Sequence, residues 1–270
     1  MKEINRSEMR VIQLATLDYF AEFCRENDLK WWLDYGTLLG AVRHKGYIPW
    51  DDDIDVSMMR EDYETLKKLF NDYSIRDGNR YKLLDAELDK SYPYTFGKIV
   101  DTETILYEGT QEVITTGVYM DVFAVDNAPS DVKKYRKMLK RRDSLGKLRK
   151  VKLLEENSDI KSARYRKVIM LKRLLILVPM HVIISRIHKN AIKYEGVKTG
   201  KIASFQWPYG NFEFYLDDDF FDELIELSFE GKSYPAPARY DEWLTEHYKD
   251  YMTLPPVEDR VQHNVRAFIK

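Results

Sequence analysis

The sequence predicts an α+β fold: a mixed sheet flanked by helices and interrupted by a basic helical insertion. Three observations predict it. Apolar residues recur at helical spacing over 7–28 and 61–73, and several short runs between 31 and 125 alternate or are β-branched. From Ser130 to about Tyr194 the chain turns helical and basic, then strongly apolar. Mixed character returns from Ser204 to Lys270. The expected organisation is a core over 1–129, a basic amphipathic insertion over 130–200, and a C-terminal part over 201–270 that completes the core. No linker is clear enough to separate independent domains.

The length of 270 residues suits one large domain, or one domain with a sizeable insertion. With 44% hydrophobic and 33% charged residues the chain is globular rather than disordered. Its one cysteine, Cys24, excludes an internal disulfide and points to a reducing compartment. Its place in a helical pattern makes Cys24 a buried hydrophobe rather than a nucleophile. The opening MKEINRSEMR has no apolar core, so no signal peptide is expected. The net charge of −2 conceals an asymmetry: from Lys133 to Arg173, seventeen Lys or Arg face four acids. That segment carries +13 and the rest of the chain −15. A segment this basic attracts polyanions: nucleic acid, anionic lipid or a phosphorylated polymer.

In the first helix, over 7–28, Met9, Ile12, Leu14, Leu17, Tyr19, Phe20 and Phe23 supply the period, with Ser7 as N-cap and no capping box. Trp31–Tyr35 reads as a short strand closing at Gly36, and Thr37–Val42 as a short helix beginning directly after the glycine. That arrangement aims backbone N–H groups and a hydroxyl at whatever sits above the turn, and a helix N-terminus is a ready anion site. Arg43, His44 and Lys45 add positive groups just beyond. Pro49 excludes helix at Ile48, so Gly46–Trp50 is a loop. An acidic strand follows, then a helix over Glu61–Tyr73 with Tyr63, Leu66, Leu69 and Phe70 as its buried side. Tyr81–Leu84, Tyr94–Val100, Thr104–Tyr107 and Val118–Val125 read as strands.

Val168–Ile187 resembles a membrane span at first sight. Lys172, Arg173, His181 and Arg186 lie within it, however, and Pro179 splits it. A span needs ~20 predominantly apolar residues without central cations, so a crossing is rejected. Two readings stay open: a basic amphipathic hairpin on an anionic membrane, or a helical subdomain whose apolar face is core. Farther on, Phe229–Pro237 reads as a hairpin or extended loop, Tyr240–His247 as a short helix and Pro255–Pro256 as a loop. Arg260 and His263 are expected to face one side of a final helical turn.

The chemistry centres on Asp51, Asp52, Asp53 and Asp55. In Asp53-Ile54-Asp55-Val56 acid and apolar residues alternate, so on a strand both carboxylates share one face, about 6–7 Å apart. Such a pair suits a hard divalent cation, Mg²⁺ above all. Met120-Asp121-Val122-Phe123 sets a lone acid among apolar neighbours, costly to bury unless paired or metal-bound. Asp121 is either a third carboxylate for the metal, or the cap of a turn or the partner of a lysine such as Lys98.

A Gly-Thr turn at a helix start, an Asp-x-Asp strand and a later isolated Asp form the constellation of the polymerase-β-type nucleotidyltransferase superfamily. The wording is more specific. Asp34-Tyr35-Gly36-Thr37-Leu38-Leu39-Gly40, then His44 through Asp55, resembles the LicD–fukutin family. So do Tyr119-Met120-Asp121-Val122-Phe123, Phe229-Glu230-Gly231 with Pro235-Ala236-Pro237, and Tyr251-Met252-Thr253-Leu254-Pro255-Pro256. The resemblance implies a nucleotidyltransferase-like sheet and a Mg²⁺-dependent phosphocholine transferase. Such an enzyme moves phosphocholine from CDP-choline to a sugar hydroxyl of teichoic acid or lipopolysaccharide and releases CMP. Animal relatives use CDP-ribitol.

By the same resemblance Asp51, Asp53, Asp55 and Asp121 are the metal-binding acids, and Asp52 points to the other side of the strand. Asp53, Asp55 and Asp121 are the catalytic set, with Asp121 also a candidate to draw the acceptor's proton. Gly36, Thr37, Arg43 and Lys45 are expected at phosphate oxygens, and Lys98 at a phosphate or an acid. Trp50 is the first choice for the choline cation, ahead of Trp31, Trp32, Tyr47 and Trp207. Arg260 and His263 are expected to face the substrate. The implied partners are a CDP-alcohol donor and an amino-sugar-containing, lipid-linked glycan acceptor, with no nucleic acid. The implied place is the cytoplasmic, inner face of the cell membrane. The alternatives are a transferase using CDP-ribitol or CDP-glycerol, a true nucleotidyltransferase, and a non-catalytic binding protein on the same fold.

Overall fold

The computed structural model describes residues 1–108, 114–154, 162–206, 213–260 and 265–270. Helix α1 (Arg6–Glu26) opens the α/β part after a short strand β1 (Lys2–Ile4). Its N-cap is Asn5, not Ser7, and a capping box is present: Glu8 N–H donates to the Asn5 side chain while Asn5 N–H donates to Glu8. Asparagine is as good a cap as serine, and the acid that completes the box follows it at the required spacing. Cys24, near the end of this helix, is buried in the core.

Strand β2 (Trp32–Leu33), helix α2 (Tyr35–His44), strand β3 (Asp55–Met59), helix α3 (Arg60–Ser74) and strand β4 (Tyr81–Leu84) follow in order. The two strands expected over 94–107 are one, β5 (Gly97–Glu108), irregular between Asp101 and Leu106. The irregularity lets its first half pair with β4 and its second half with the last strand, β11 (Val265–Ile269). Strand β6 (Ile114–Asn127) lies beside β5. The main path of the nine-stranded sheet is β1–β11–β5–β6–β3–β2, and β3–β6 is its parallel pair. Val118, Met120, Val122 and Ala124 of β6 are all buried, as an interior strand requires. Leu17, Phe20 and Phe23 of α1, with Tyr63, Leu66 and Phe70 of α3, pack with β3 and β6 into one apolar cluster.

The basic region forms helices α4 (Val132–Leu153), α5 (Ala163–Leu174) and α6 (Met180–Ala191), with Pro179 as the α6 N-cap. The two halves of 168–187 differ in burial, and the core reading holds for the second. Ile183, Ile184 and Ile187 of α6 are 1–2% exposed, and α6 packs on α4. The bend before Pro179 faces solvent instead. Strands β7 (Lys201–Ala203) and β8 (Tyr215–Asp217) attach to the end of β6. A hairpin of β9 (Leu224–Phe229) and β10 (Lys232–Pro237) and helix α7 (Tyr240–Tyr248) close the described C-terminal part before β11. The final helical turn expected around Arg260 and His263 lies outside the described residues over 261–264, and Val265–Ile269 beyond it pairs with β1 and β5.

Candidate active site

Sheet register builds the site. Parallel pairing sets Asp55 opposite Asp121, and antiparallel pairing sets Lys98 opposite the same Asp121. Residues in register on neighbouring strands place their side chains on one face, so Lys98, Asp121 and Asp55 form a row across β5, β6 and β3. Carboxylate oxygens of Asp53, Asp55 and Asp121 lie within 4.8 Å of one another. Oxygens of Asp51, Asp52 and Asp53 satisfy the same limit, so Asp53 belongs to both groups. This corrects the placement of Asp52 on the other side. Strand β3 begins only at Asp55, and alternation along a strand does not govern 51–54. Helix α1 holds those residues through their backbone: Arg10 Nη2 donates to the Asp51 carbonyl (2.7 Å) and Gln13 Nε2 to the Asp52 carbonyl (2.7 Å).

Helix α2 delivers its first turn to the acids. Its N-cap, Asp34, accepts from Tyr35 N–H (2.8 Å), from Ser57 Oγ (2.5 Å) and from Trp243 Nε1 (2.7 Å), and is fully buried. Asp34 N–H donates to the Asp55 carbonyl (3.1 Å), and Asp55 N–H donates to Thr37 Oγ1 (2.8 Å). Tyr35 takes a left-handed φ of 43°, a strained conformation for a bulky residue and one that clusters at functional sites. Gly36 has no room for a side chain: a Cβ there would lie 2.6 Å from Asp51 Oδ2 and 4.0 Å from Asp55 Oδ2. The first helical N–H groups lack intrahelical acceptors and favour an anion. An anion-binding turn and an acid cluster therefore share one corner.

Burial, then the negative charges of Asp53, Asp121, Asp51 and Asp34, hold the Asp55 carboxyl well above its ordinary range. Burial also raises Asp121, to about 7, against the pull of Lys98. Lys98 is itself buried: its Nζ donates to Asp121 Oδ1 (2.8 Å), lies 3.6 Å from Glu108 Oε1 and 3.2 Å from the centroid of Tyr119. Carboxylates crowded until burial and mutual repulsion favour their protonated forms suit a hard divalent cation, which would relieve that repulsion. The donor set, oxygen throughout, fits Mg²⁺.

The expected residues divide. Gly36, Thr37, Asp51, Asp53, Asp55 and Asp121 come together, and Lys98 joins them through Asp121 rather than as an open phosphate contact. Arg43 and Lys45 belong to the far end of α2, about 10 Å along its axis from Gly36, where Arg43 neighbours Tyr248. There Arg43 Nη1 donates to the Tyr251 carbonyl (2.7 Å), and exposed Lys45 is the left-handed C-cap whose carbonyl accepts from Glu230 N–H. The guanidinium of Arg260 covers the Trp50 ring, 4.5 Å from its centroid. The place an organic cation would take is thus held by the protein's own. Trp31 and Trp32 are core residues, the latter stacked on Phe221, and Tyr47 is buried with Arg10 over its ring. His263 and Trp207 lie outside the described residues.

The sequence reading missed Asp34, Tyr248, Tyr119 and Glu108 as parts of this corner. Asp34 was legible, being an N-cap type directly before the helix; reading Trp31–Tyr35 as one strand hid it. The Tyr248 hydroxyl is raised by burial and then by Asp55, Asp34, Asp51 and Asp53, which places α7 beside the acids. No local pattern announces that contact.

Residues 28–144 match the family described as "LicD/FKTN/FKRP, nucleotidyltransferase domain". The chain is 31% identical over 273 residues to the lipopolysaccharide cholinephosphotransferase LicD of Haemophilus influenzae, covering 98% of each. It is 28% identical over 155 residues to mannosyltransferase regulator 4 of Saccharomyces cerevisiae, covering 52% of this chain and 11% of that one. A 41-residue stretch is 44% identical to human ribitol 5-phosphate transferase FKRP, covering 15% of this chain and 8% of that one. The matched domain contains every acid of the cluster, and similarity to the bacterial relative runs nearly end to end. The chain belongs to the LicD family.

Proposed function

We propose that this protein transfers phosphocholine from CDP-choline to a sugar hydroxyl of a cell-surface glycan precursor, teichoic acid or lipopolysaccharide, and releases CMP. The observation that carries the reading is the set of Asp53, Asp55 and Asp121 oxygens within 4.8 Å of one another, beside the first turn of α2. Asp51, Asp53, Asp55 and Asp121 would hold Mg²⁺, which when bound neutralises charge on the donor's diphosphate. The N–H groups of Gly36 and Thr37 face the same diphosphate as an anion site. Asp121 takes the proton of the acceptor hydroxyl as the new oxygen–phosphorus bond forms and the bond from that phosphorus to CMP breaks. Lys98 fixes the Asp121 carboxylate through its hydrogen bond to Oδ1.

Choline is favoured by similarity to the Haemophilus enzyme over nearly the whole chain. A CDP-ribitol donor is the second reading, and the short stretch shared with FKRP favours it. The acceptor is proposed to be an amino-sugar-containing, lipid-linked glycan. Incubation with Mg²⁺, an amino-sugar acceptor and CDP-choline, CDP-ribitol or CDP-glycerol separately should release CMP fastest from CDP-choline, and Asp55→Asn should abolish release. Pyrophosphate formed from CTP, without CMP from any CDP-alcohol, would overturn the proposal in favour of nucleotidyl transfer.

A further inference from the structure

We propose that the bend between α5 and α6 is a membrane-docking tip that enters an anionic lipid bilayer. At this bend Met170, Leu174, Ile176 and Leu177 are 65%, 66%, 76% and 87% exposed. These are large apolar side chains gathered within eight residues of one exposed bend, which a soluble surface rarely shows together. Lys167, Met170, Leu171 and Leu174 stand at i, i+3, i+4 and i+7 of α5, so they share one stripe that leads to the turn.

Charge identifies the occupant. Between Ser162 and Tyr194 the chain has eight Lys or Arg and no Asp or Glu. Exposed Arg164, Arg166 and Lys167 flank the apolar tip. A second copy of this chain would bring the same positive charge against it, whereas an anionic bilayer offers hydrocarbon to the tip and phosphate to the rim. A soluble polyanion would satisfy the rim and leave the tip in water. The tip is also held in shape: Lys152 Nζ donates to the Leu175 carbonyl (2.8 Å) and Lys172 Nζ to the Leu154 carbonyl (2.5 Å), which ties α4 to the turn.

No described helix is long and apolar enough to cross a membrane alone. The 163–177 and 180–194 segments together have a span's length and composition but bend by 90°. Burial of Ile183, Ile184 and Ile187 against the protein denies the second segment to lipid. The geometry therefore supports docking on one leaflet. It is independent of which donor the acid site uses.

The test uses the full chain and vesicles of phosphatidylcholine with or without phosphatidylglycerol. Cys24 is buried and is the sole cysteine, so Leu177→Cys can be labelled selectively with an environment-sensitive dye. Flotation with the phosphatidylglycerol vesicles and a blue shift of the dye are expected, both absent with phosphatidylcholine alone. The triple change Leu174→Ser, Ile176→Ser, Leu177→Ser should remove flotation while thermal melting stays cooperative. Arg166→Glu with Lys167→Glu, which spares the apolar tip, should weaken flotation by at least about tenfold, since each basic residue near an anionic surface is worth about fivefold. Failure of the wild type to float would overturn the proposal. So would flotation that survives both sets of changes, a dye that stays in water while the protein binds polyphosphate, or a dimer that the serine variant dissociates.

Discussion

Lys98 is a cation enclosed by the sheet, with Asp121 on one side, Glu108 on the other and Tyr119 beneath it. Removing one partner of a buried ion pair leaves the other charge uncompensated, which costs about 3–5 kcal/mol. Lys98→Met is therefore expected to lower stability by that amount in thermal or denaturant unfolding, and to cut turnover because Asp121 loses its fixed orientation. Unchanged stability would show that the acids rearrange to do without it. Gly36 makes the opposite case. Its replacement by Ala drives a methyl into Asp51 Oδ2, the end of a side chain that can swing away. Gly36→Ala should cost about 1 kcal/mol or less, as a helical Ala is intrinsically favoured over Gly, yet reduce turnover at least about tenfold, equivalent to 1.4 kcal/mol in the barrier. Steady-state kinetics beside a melting curve separates the two effects. At this scale the acids were legible because carboxylate clusters are rare enough to notice. Arg43 and Lys45 were less legible, because the sequence does not say how far a side chain at the end of α2 reaches toward its start.

Helix α2 is positioned from its N-cap. Asp34 links it to β3 through Ser57 and to α7 through Trp243, a residue 209 positions away. A hydrogen bond to a charged acceptor is worth about 1.5–3 kcal/mol. Trp243→Phe keeps most of the buried ring and removes that donor, so a loss of about this size is expected in denaturant unfolding. A loss under about 0.5 kcal/mol, the scatter of neutral surface changes, would mean Asp34 is held by its other donors alone. Helices with a strong period were readable from sequence, and β4 was read to the residue. Strand alternation was expected to bring Asp53 and Asp55 together, but β3 begins only at Asp55; Asp55 and Asp121 meet through parallel pairing across β3 and β6, which no local window contains. Strand β1, three residues long, is too short to show any period at all.

For the molecule as a whole, the acid cluster stores repulsion that folding must overcome. Asp121, at about 7 in the fold against an ordinary 3.8, binds its proton more tightly folded than unfolded, and Asp55 shifts the same way. The stability such groups contribute is complete below the unfolded value and is lost as pH rises through the folded one. Carboxylates held low, such as Glu108 and Glu87, act in the opposite direction, so the metal-dependent difference is the clean readout. Mg²⁺ should raise the melting temperature by several degrees at pH 8 and by much less at pH 5.5, where it must displace protons. An equal increment at both values would disprove the coupling. This balance was invisible in the net charge of −2, because it depends on which acids the sheet gathers.

The pairing of β1 with β11, in which Lys2 lies opposite Ile269, has a consequence for the order of synthesis. Strand β1 has its only described sheet partner in β11, which is made much later and also completes the outer half of β5. Until β11 emerges, an early and a central strand both present open edges, the kind of surface that recruits other chains. A nascent chain of this protein is expected to stay vulnerable to aggregation until β11 has been made. Its metal corner, built from β3, β6 and α2, can form while the far edge of the sheet is still waiting.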